Sequence, residues 1–588
     1  MNKRNIWTIV IIVFSALGGL LLGNVIADRA QNGKNLRDLS GLFSFGNSSS
    51  KVNDLLSLID GQYVDNVDMD SITDEVMADI VSKLDPHSVY IPAKDLEAVN
   101  SELEGSFSGI GVQFNIQNDT VMIVSVISGG PSEKVGLMAG DRIIRVNDTI
   151  FAGAGVVSNE KVMRKLRGPK GTEVKLGVKR HGTREILSYT IKRGEIPVNS
   201  VTVAYIIEPG VGFIGLNNNF GNNTYDEFLH AIAELRAKGA RKFIIDLREN
   251  SGGLMDVAIR MINEFLPAGQ MIVYSEGKAY PRADAKADGT GSCINYPLAV
   301  LIDEFSASAS EIFAGAIQDN DRGLIIGRRS FGKGLVQTQI PFSDGSAVRL
   351  TVARYFTPSG RSIQKPYERG KGDDYQMDLV KRFEHGEFDT KDSIHVADSL
   401  KFKTLKGRTV YGGGGIMPDI FVPRDTSKYS PYLTKVVNYG YIYQYAFQYT
   451  DKNRTALSKF KSWQEMDKYL SGQNLLNEFV SFASSKGVPA NQREISVSES
   501  LLRNQIKSYI VRNMLGDSQF FPMLNKEDET VKKALEEVKS QKESFSKRKA
   551  RFHVGLFLMR FYTVNKFSYL ISLAFKHIPH HYQIGSGT

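Results

Sequence analysis

The stretch that decides the fold runs Leu298-Ala299-Val300-Leu301-Ile302-Asp303-Glu304-Phe305-Ser306-Ala307-Ser308-Ala309-Ser310-Glu311. Its uninterrupted apolar start reads as a buried strand. Ser310 to Gln318 reads as a helix. The serines therefore fall at a strand–helix junction, where the first amides of a helix are free and its dipole is positive. A hydroxyl held there sits beside donors for a developing oxyanion. Serines at such a junction also serve as plain helix caps, and this stretch alone does not separate the two uses.

Outward from it, strands alternate with helices between Val211 and about Ile363. Val211-Gly212-Phe213-Ile214 and Phe243-Ile244-Ile245-Asp246-Leu247 read as strands. Tyr225 to Lys238 reads as a helix with Phe228, Ile232 and Leu235 in register, and Val257 to Phe265 as another. That alternation implies an α/β core with a largely parallel sheet, whose functional groups gather where strands end. Asn250-Ser251-Gly252-Gly253 lies at such an end, and its Gly-Gly pair forms either an amide-presenting turn or an ordinary one.

Gly105 to Arg193 reads as short strands with glycine turns and one helix, Ser158 to Leu166. Lys51 to about Leu103 has helical spacing. Residues 29–50 read as a linker. Beyond Lys365 comes a charged stretch to about Lys406, then Gly412-Gly413-Gly414-Gly415, then a mostly helical region from Thr426 to about Lys542. The tail from Glu543 is basic, then apolar from Gly555 to Phe575, but Arg560 and Lys566 make a second membrane span costly. An amphipathic helix lying on a surface, or a helix packed on the body, is expected there instead.

The chain has 588 residues, 42% of them hydrophobic and 23% charged, a globular balance. Its net charge of +9 is spread along the chain, which counts against nucleic acid as a partner. One cysteine, Cys293, excludes an internal disulfide, and no H-E-x-x-H occurs, so neither a metal nor another cofactor is expected. Lys3 and Arg4 precede a charge-free stretch from Asn5 to Ala27, long enough to cross ~30 Å of hydrocarbon as a helix. The expectation is a single-pass signal anchor with the body outside the cytoplasm; the alternative is a signal peptide cleaved after Val25-Ile26-Ala27.

A second element is Ser330-Phe331-Gly332-Lys333-Gly334-Leu335-Val336-Gln337. Lysine acts as a base only when neutral, so its reference pKa of ~10.4 must fall, usually by burial. Gln337 shares a face with Lys333 and orients it without adding charge. Gly327 to Gly334 also satisfies G-x-x-x-x-G-K, but the position that needs Ser or Thr is Gly334, which argues against a phosphate loop. No G-x-S-x-G occurs, and His87 and His230 read as structural histidines.

Taken in order, these elements resemble the C-terminal processing peptidases, or tail-specific proteases. Leu84-Asp85-Pro86-His87-Ser88 resembles their N-terminal motif, and Gly136-Leu137-Met138-Ala139-Gly140-Asp141 a turn of their PDZ domain. Tyr355-Phe356-Thr357-Pro358-Ser359-Gly360-Arg361 and Gly415-Ile416-Met417-Pro418-Asp419 resemble later strand motifs. The resemblance implies an α/β core of the crotonase-like, ClpP-like kind with an inserted β-rich PDZ domain. It divides the chain into an anchor (1–28), a linker (29–50), a helical subdomain (51–104), a PDZ domain (105–193), a serine peptidase core (194–423), a helical C-terminal domain (424–542) and a tail (543–588). It implies a serine endopeptidase that cleaves exported proteins near their C-termini, at a bacterial cell membrane. The nucleophile would be Ser308, the base Lys333 and the orienting amide Gln337. Oxyanion donors would be the amides of Gly252, Gly253 and Ala309.

For the PDZ module, Gly109, Ile110, Gly111 and Val112 would hold a chain-terminal carboxylate and add the peptide as a strand. Ile110, Val162 and Leu166 would line its side-chain pocket, and Arg167 would make a gating contact. Partners would be proteins or peptides with free C-termini and the membrane; a homo-oligomer or an adaptor protein is left open. Residues 364–411 separate motifs that lie closer in simpler members, implying an insertion at the rim of the site. The reading from another class is a non-catalytic PDZ scaffold on the same fold.

Overall fold

The computed structural model describes residues 49–541, apart from 118, 128, 154, 181, 395 and 396. The expected anchor and the tail from 543 lie outside the described residues. The chain divides into a unit ending at Val81 and a unit starting at Ser82. In the first, α1 (Ser49–Gln62) and α2 (Met69–Ser82) supply the expected helices.

The second unit opens on β1 (Val89–Ile91) and α3 (Ala93–Glu104). β1 corrects the expectation of an all-helical 51–104. Val89-Tyr90-Ile91 is β-branched and aromatic, suits a strand, and pairs antiparallel with a distant partner that helical periodicity cannot reveal.

The β-rich module holds β2 (Ser106–Gly109), β3 (Val112–Gln117), β4 (Thr120–Val126), a turn of helix α4 (Pro131–Lys134), β5 (Arg142–Val146), β6 (Thr149–Ile150), α5 (Asn159–Leu166), β7 (Glu173–Lys179), β8 (Leu187–Lys192) and β9 (Gly194–Pro197). Its sheet runs β3-β4-β5-β7-β8 with β6 on β5, while β2 and β9 pair where the chain enters and leaves. Ser158 caps α5, its hydroxyl accepting from Lys161 N at 3.2 Å.

The α/β core comprises β10 (Val203–Glu208), β11 (Val211–Gly215), α6 (Thr224–Ala237), β12 (Lys242–Asp246), α7 (Met255–Asn263), β13 (Met271–Glu276), β14 (Ala283–Lys286), β15 (Leu298–Ile302), α8 (Ala309–Asp319), β16 (Leu324–Gly327), β17 (Leu335–Pro341) and β18 (Ala347–Phe356). The main sheet runs β10-β11-β12-β15-β16 and ends on β21 (Ile420–Phe421); all its neighbours are parallel except β10 and β11. The second sheet is antiparallel, ordered β1-β18-β13-β14 with β17 also on β18. Between β18 and β21 lie α9 (Gly372–Gln376), α10 (Asp378–Glu384), β19 (Lys401–Lys403) and β20 (Thr409–Tyr411).

Alternation along the main strands explains how both faces are covered. Ile214, Ile245, Val300 and Ile302 pack with α6, α7 and the wholly buried α8. Phe213, Ile244 and Leu301 face the other way. The C-terminal helices α11 (Pro431–Asn438), α12 (Tyr441–Leu457), α13 (Trp463–Ser471), α14 (Leu475–Ser485), α15 (Gln492–Leu515) and α16 (Asp517–Leu524) build a core of their own around Val436, Phe479, Leu502 and Ile506. Among the described residues the chain ends on α17 (Glu529–Ser540), inside the expected helical region but packed away from that core. Its Val531, Ala534 and Val538 cover the second face of the main sheet, against Phe213, Ile244 and Leu301.

Candidate active site

Ser308 stands at the N-cap of α8 with φ +54° and ψ −115°. A non-glycine residue held there is strained, and such strain concentrates at functional sites. The three serines have different environments. The Ser306 hydroxyl donates to Leu247 O at 2.8 Å and accepts from Asp303 N at 2.9 Å, and the Ser310 hydroxyl donates to Asn250 Oδ1 at 2.8 Å. Both residues are fully buried, whereas Ser308 is half-buried and so within reach of a substrate.

Lys333 lies in the connection that leads into β17. Its Nζ donates to Gln337 Oε1 at 3.1 Å, and Gln337 Nε2 donates onward to the carbonyl of His87. Burial pushes the Lys333 pKa below the usual lysine value, helped by the nearby Arg349 guanidinium and opposed by Glu311 and Asp85. Gly334 is required by contact, since a Cβ there would stand 2.9 Å from Gln364 N. The chain after Gly334 continues as a strand, not the helix that a phosphate loop needs.

Two groups tie the serine and lysine segments together, and the sequence had assigned neither a role. Glu311 is fully buried, and its Oε2 accepts from both Ser308 N and Lys333 N, each at 2.8 Å. Its Oε1 accepts from Gly332 N at 2.7 Å and from the Ser330 hydroxyl at 2.5 Å. Burial pushes this carboxyl up to about 7, against the pull of its hydrogen bonds to Ser330, Lys333, Gly332 and Ser308. The Tyr355 hydroxyl lies 2.5 Å from the Lys333 carbonyl and 3.0 Å from the Ser308 carbonyl. The spacing Ser308-x-x-Glu311 is that of a capping box, a signal already present in the sequence.

The Gly252–Gly253 turn abuts the serine. At Gly252, with φ +103°, a Cβ would fall 2.8 Å from Ser308 Cβ and 2.7 Å from Ala309 N. The expectation that all three amides are available is corrected at Gly252, whose N–H donates to Asn250 Oδ1 at 2.8 Å. The buried Asn250 closes this turn on itself, so the amide is already satisfied. Among the described residues nothing accepts from the amides of Gly253 or Ala309. Gly253 bridges Phe220 through its neighbours, with Leu254 N donating to Phe220 O at 2.8 Å, so its own N–H points to the other side.

His87 also stands here. Its pKa is lowered to about 4 by burial, then by the charge of Lys333. Its Nε2 lies 2.8 Å from the Tyr375 hydroxyl. Asp85 ties the loop down, accepting from His87 N and Ser88 N at 2.9 Å each and from the Ser88 hydroxyl at 2.6 Å.

In the β-rich module, β3 ends its sheet, so one edge has no strand beside it among the described residues. Gly109 closes β2, Gly111 adopts φ +78°, and Val112 opens β3. The expected side-chain pocket is corrected: Ile110, Val162 and Leu166 are 2%, 0% and 4% exposed, closed within the module's core beside Leu137 and Ile143. Val162 and Leu166 form the inward stripe of α5, which the core fills. The Arg167 guanidinium stacks on the Phe107 ring at 4.3 Å, a contact inside the module.

A parallel α/β sheet with a serine at a strand–helix junction and a β-rich module set in before it defines the class of PDZ-bearing serine peptidases. The profile of peptidase family S41 matches residues 210–376, that of the PDZ domain residues 108–191, and that of a family of unknown function residues 432–516. The chain is 35% identical to the carboxy-terminal processing protease CtpA of Bacillus subtilis over 60% of this chain and 75% of that one. It is 36% identical to a carboxy-terminal-processing protease of Bartonella bacilliformis, over 54% and 72%. It is also similar to a solved photosystem II D1 C-terminal processing protease, with 25% identity, 65% of this chain and 88% of that one covered, and a TM-score of 0.34. The chain belongs to the carboxy-terminal processing proteases of peptidase family S41.

Proposed function

We propose that this serine peptidase works through Ser308 as nucleophile and neutral Lys333 as base, on exported proteins presented by their C-termini. The observation that carries this is the convergence of Ser308 N and Lys333 N on one oxygen, Glu311 Oε2, at 2.8 Å each, with Lys333 Nζ held by Gln337.

The Ser308 hydroxyl attacks the scissile carbonyl as Lys333 takes its proton. The carbonyl oxygen, now negative, is met by the amides of Gly253 and Ala309. The tetrahedral adduct collapses, the C–N bond breaks, and the Lys333 ammonium returns the proton to the leaving amine. A water then gives its proton to Lys333, attacks the acyl-serine ester, and releases the new C-terminus with Ser308 reprotonated. Gln337 aims the lysine, and Glu311 and Tyr355 hold the two segments in register.

Substrate C-termini add as a strand at the free edge of β3, the carboxylate held by amides around Gly109–Val112. The charge-free stretch after Lys3 and Arg4 supports an N-terminal membrane anchor and a body outside the cytoplasm. The full chain should degrade an unstructured protein without ATP and with chelator present. Ser308→Ala and Lys333→Ala should each lower the rate by at least ~10³-fold while leaving Tm near wild type. Wild-type rates in either variant contradict the reading.

A further inference from the structure

The segment between Gln364 and Tyr411 places one aromatic residue against the His87 loop and the chain that leads into Lys333. Tyr375, in α9, is 5% exposed. Its ring meets His87 edge-on at 5.0 Å and Phe331 at 5.8 Å, and Lys365 Nζ sits over it at 4.1 Å. The Lys365 ammonium also donates to Tyr375 O at 3.1 Å and pairs with Asp378 at 3.0 Å, which fixes α9 in place. Phe331 and Gly332 lead directly into Lys333, and the His87 carbonyl holds Gln337. Tyr375 therefore stands behind both supports of the lysine.

The proton on the Tyr375 hydroxyl can be assigned. Gln364 Nε2 is only a donor, so at 3.2 Å it uses a lone pair of the phenol oxygen. The phenol proton then has two acceptors, Gly332 O at 3.5 Å and His87 Nε2 at 2.8 Å. The longer contact is too weak to compete. His87 thus accepts at Nε2 and carries its own proton on Nδ1, which a second proton would disrupt.

We infer that Tyr375 is a positioning residue for the Lys333 base: its hydroxyl holds His87 as a neutral acceptor and its ring closes the wall behind Phe331 and Gly332 that keeps water from the lysine. This rests on Lys333 being the base. The charged and titratable groups facing Lys333 are Arg349 and Tyr355 from β18, Glu311 from α8, and Asp85 and His87 from the loop before β1. Lys365, from the chain after β18, acts on His87 and pairs with Asp378. Water admitted through the gap left by Tyr375 would stabilise the ammonium, so the pH below which activity falls would rise.

The test compares the full chain as wild type, Tyr375→Phe and Tyr375→Ala, with His87→Gln and Lys333→Ala as controls. Two readouts are taken, the pH profile of kcat/KM and the titration of His87 by NMR of ring-labelled histidine, assigned through His87→Gln. Tyr375→Phe keeps the ring and should raise the His87 pKa by about one unit. Tyr375→Ala, if folded, should move the acid limb of kcat/KM upward by about half a unit or more. An unmoved His87 titration in Tyr375→Phe, or an unmoved limb in folded Tyr375→Ala, overturns the inference. Activity retained in Lys333→Ala overturns the base and this inference together; inactive Lys333→Ala with an unmoved limb in Tyr375→Ala overturns this inference alone.

Discussion

At the residue scale, Glu311 is where the serine and lysine segments meet. All four of its contacts are donors, Ser308 N, Lys333 N, Gly332 N and the Ser330 hydroxyl, so a carboxylate satisfies them all. Glu311→Gln replaces one oxygen by an NH2 group that must face a pair of donors. The change should cost ~2–4 kcal/mol of stability and lower kcat at least ~10-fold, read by thermal melts and by rates at saturating substrate. A variant with wild-type melting and rate would show that the carboxylate is not the link. The base sets the pH dependence. As the proposed base, Lys333 would work only when neutral, and its pKa is depressed, so activity should fall as pH drops through a value below 10.5. A rate flat from about pH 5 to about pH 10, with the fold intact, contradicts a lysine base. His87 makes stability depend on pH as well. Its folded pKa of about 4 lies below its ordinary 6.5, so its contribution is full above 6.5 and is lost as pH falls through 4. His87→Gln should remove up to a few kcal/mol of that acid sensitivity, seen in urea melts across the same window.

At the element scale, the turn after β12 and the start of α8 are built against each other. Gly252→Ala would push a Cβ into Ser308 Cβ at 2.8 Å, on a backbone with φ +103°. Activity should fall at least ~100-fold while the PDZ module still binds peptide, because the distortion is local to the proposed oxyanion donors. Equal losses of binding and catalysis would instead indicate global unfolding. The β15–α8 junction was legible because apolar run, serine cluster and helix follow within one local stretch. Gln337 was legible for the same reason, lying four residues from Lys333. Glu311 was readable from its capping-box spacing but went unassigned. What local pattern could not give were distant partners: the pairing of Val89–Ile91 with β18, and Tyr375 against His87. The buried fate of Ile110, Val162 and Leu166 was equally hidden, since the same inward stripe serves a ligand pocket or a filled core.

At the scale of the molecule, the C-terminal region is not a detachable appendage. Its last helix covers a face of the peptidase sheet, and Asp528 reaches Arg248 at 2.7 Å, while Arg248 binds Asp246 at 2.8 Å at the root of the Gly252–Gly253 turn. Asp528→Ala should destabilise by ~1–3 kcal/mol in denaturant titrations, because Arg248 keeps only one of its carboxylates. Gly140 of the PDZ module packs where a Cβ would meet Phe447 at 2.8 Å, and Arg454 donates to Ala139 O at 3.3 Å. The helical core thus touches the module that is to receive substrate. Among the described residues no helix is long and apolar enough to cross a membrane. The proposed function requires a covalent intermediate on Ser308, formed with Lys333 as base. The full chain, mixed with an activated peptide ester and quenched in acid, should carry one acyl group, mapped by mass spectrometry to Ser308, with no adduct in Ser308→Ala and a strongly slowed one in Lys333→Ala. An adduct on another residue, or undiminished acylation of Ser308→Ala, would contradict it.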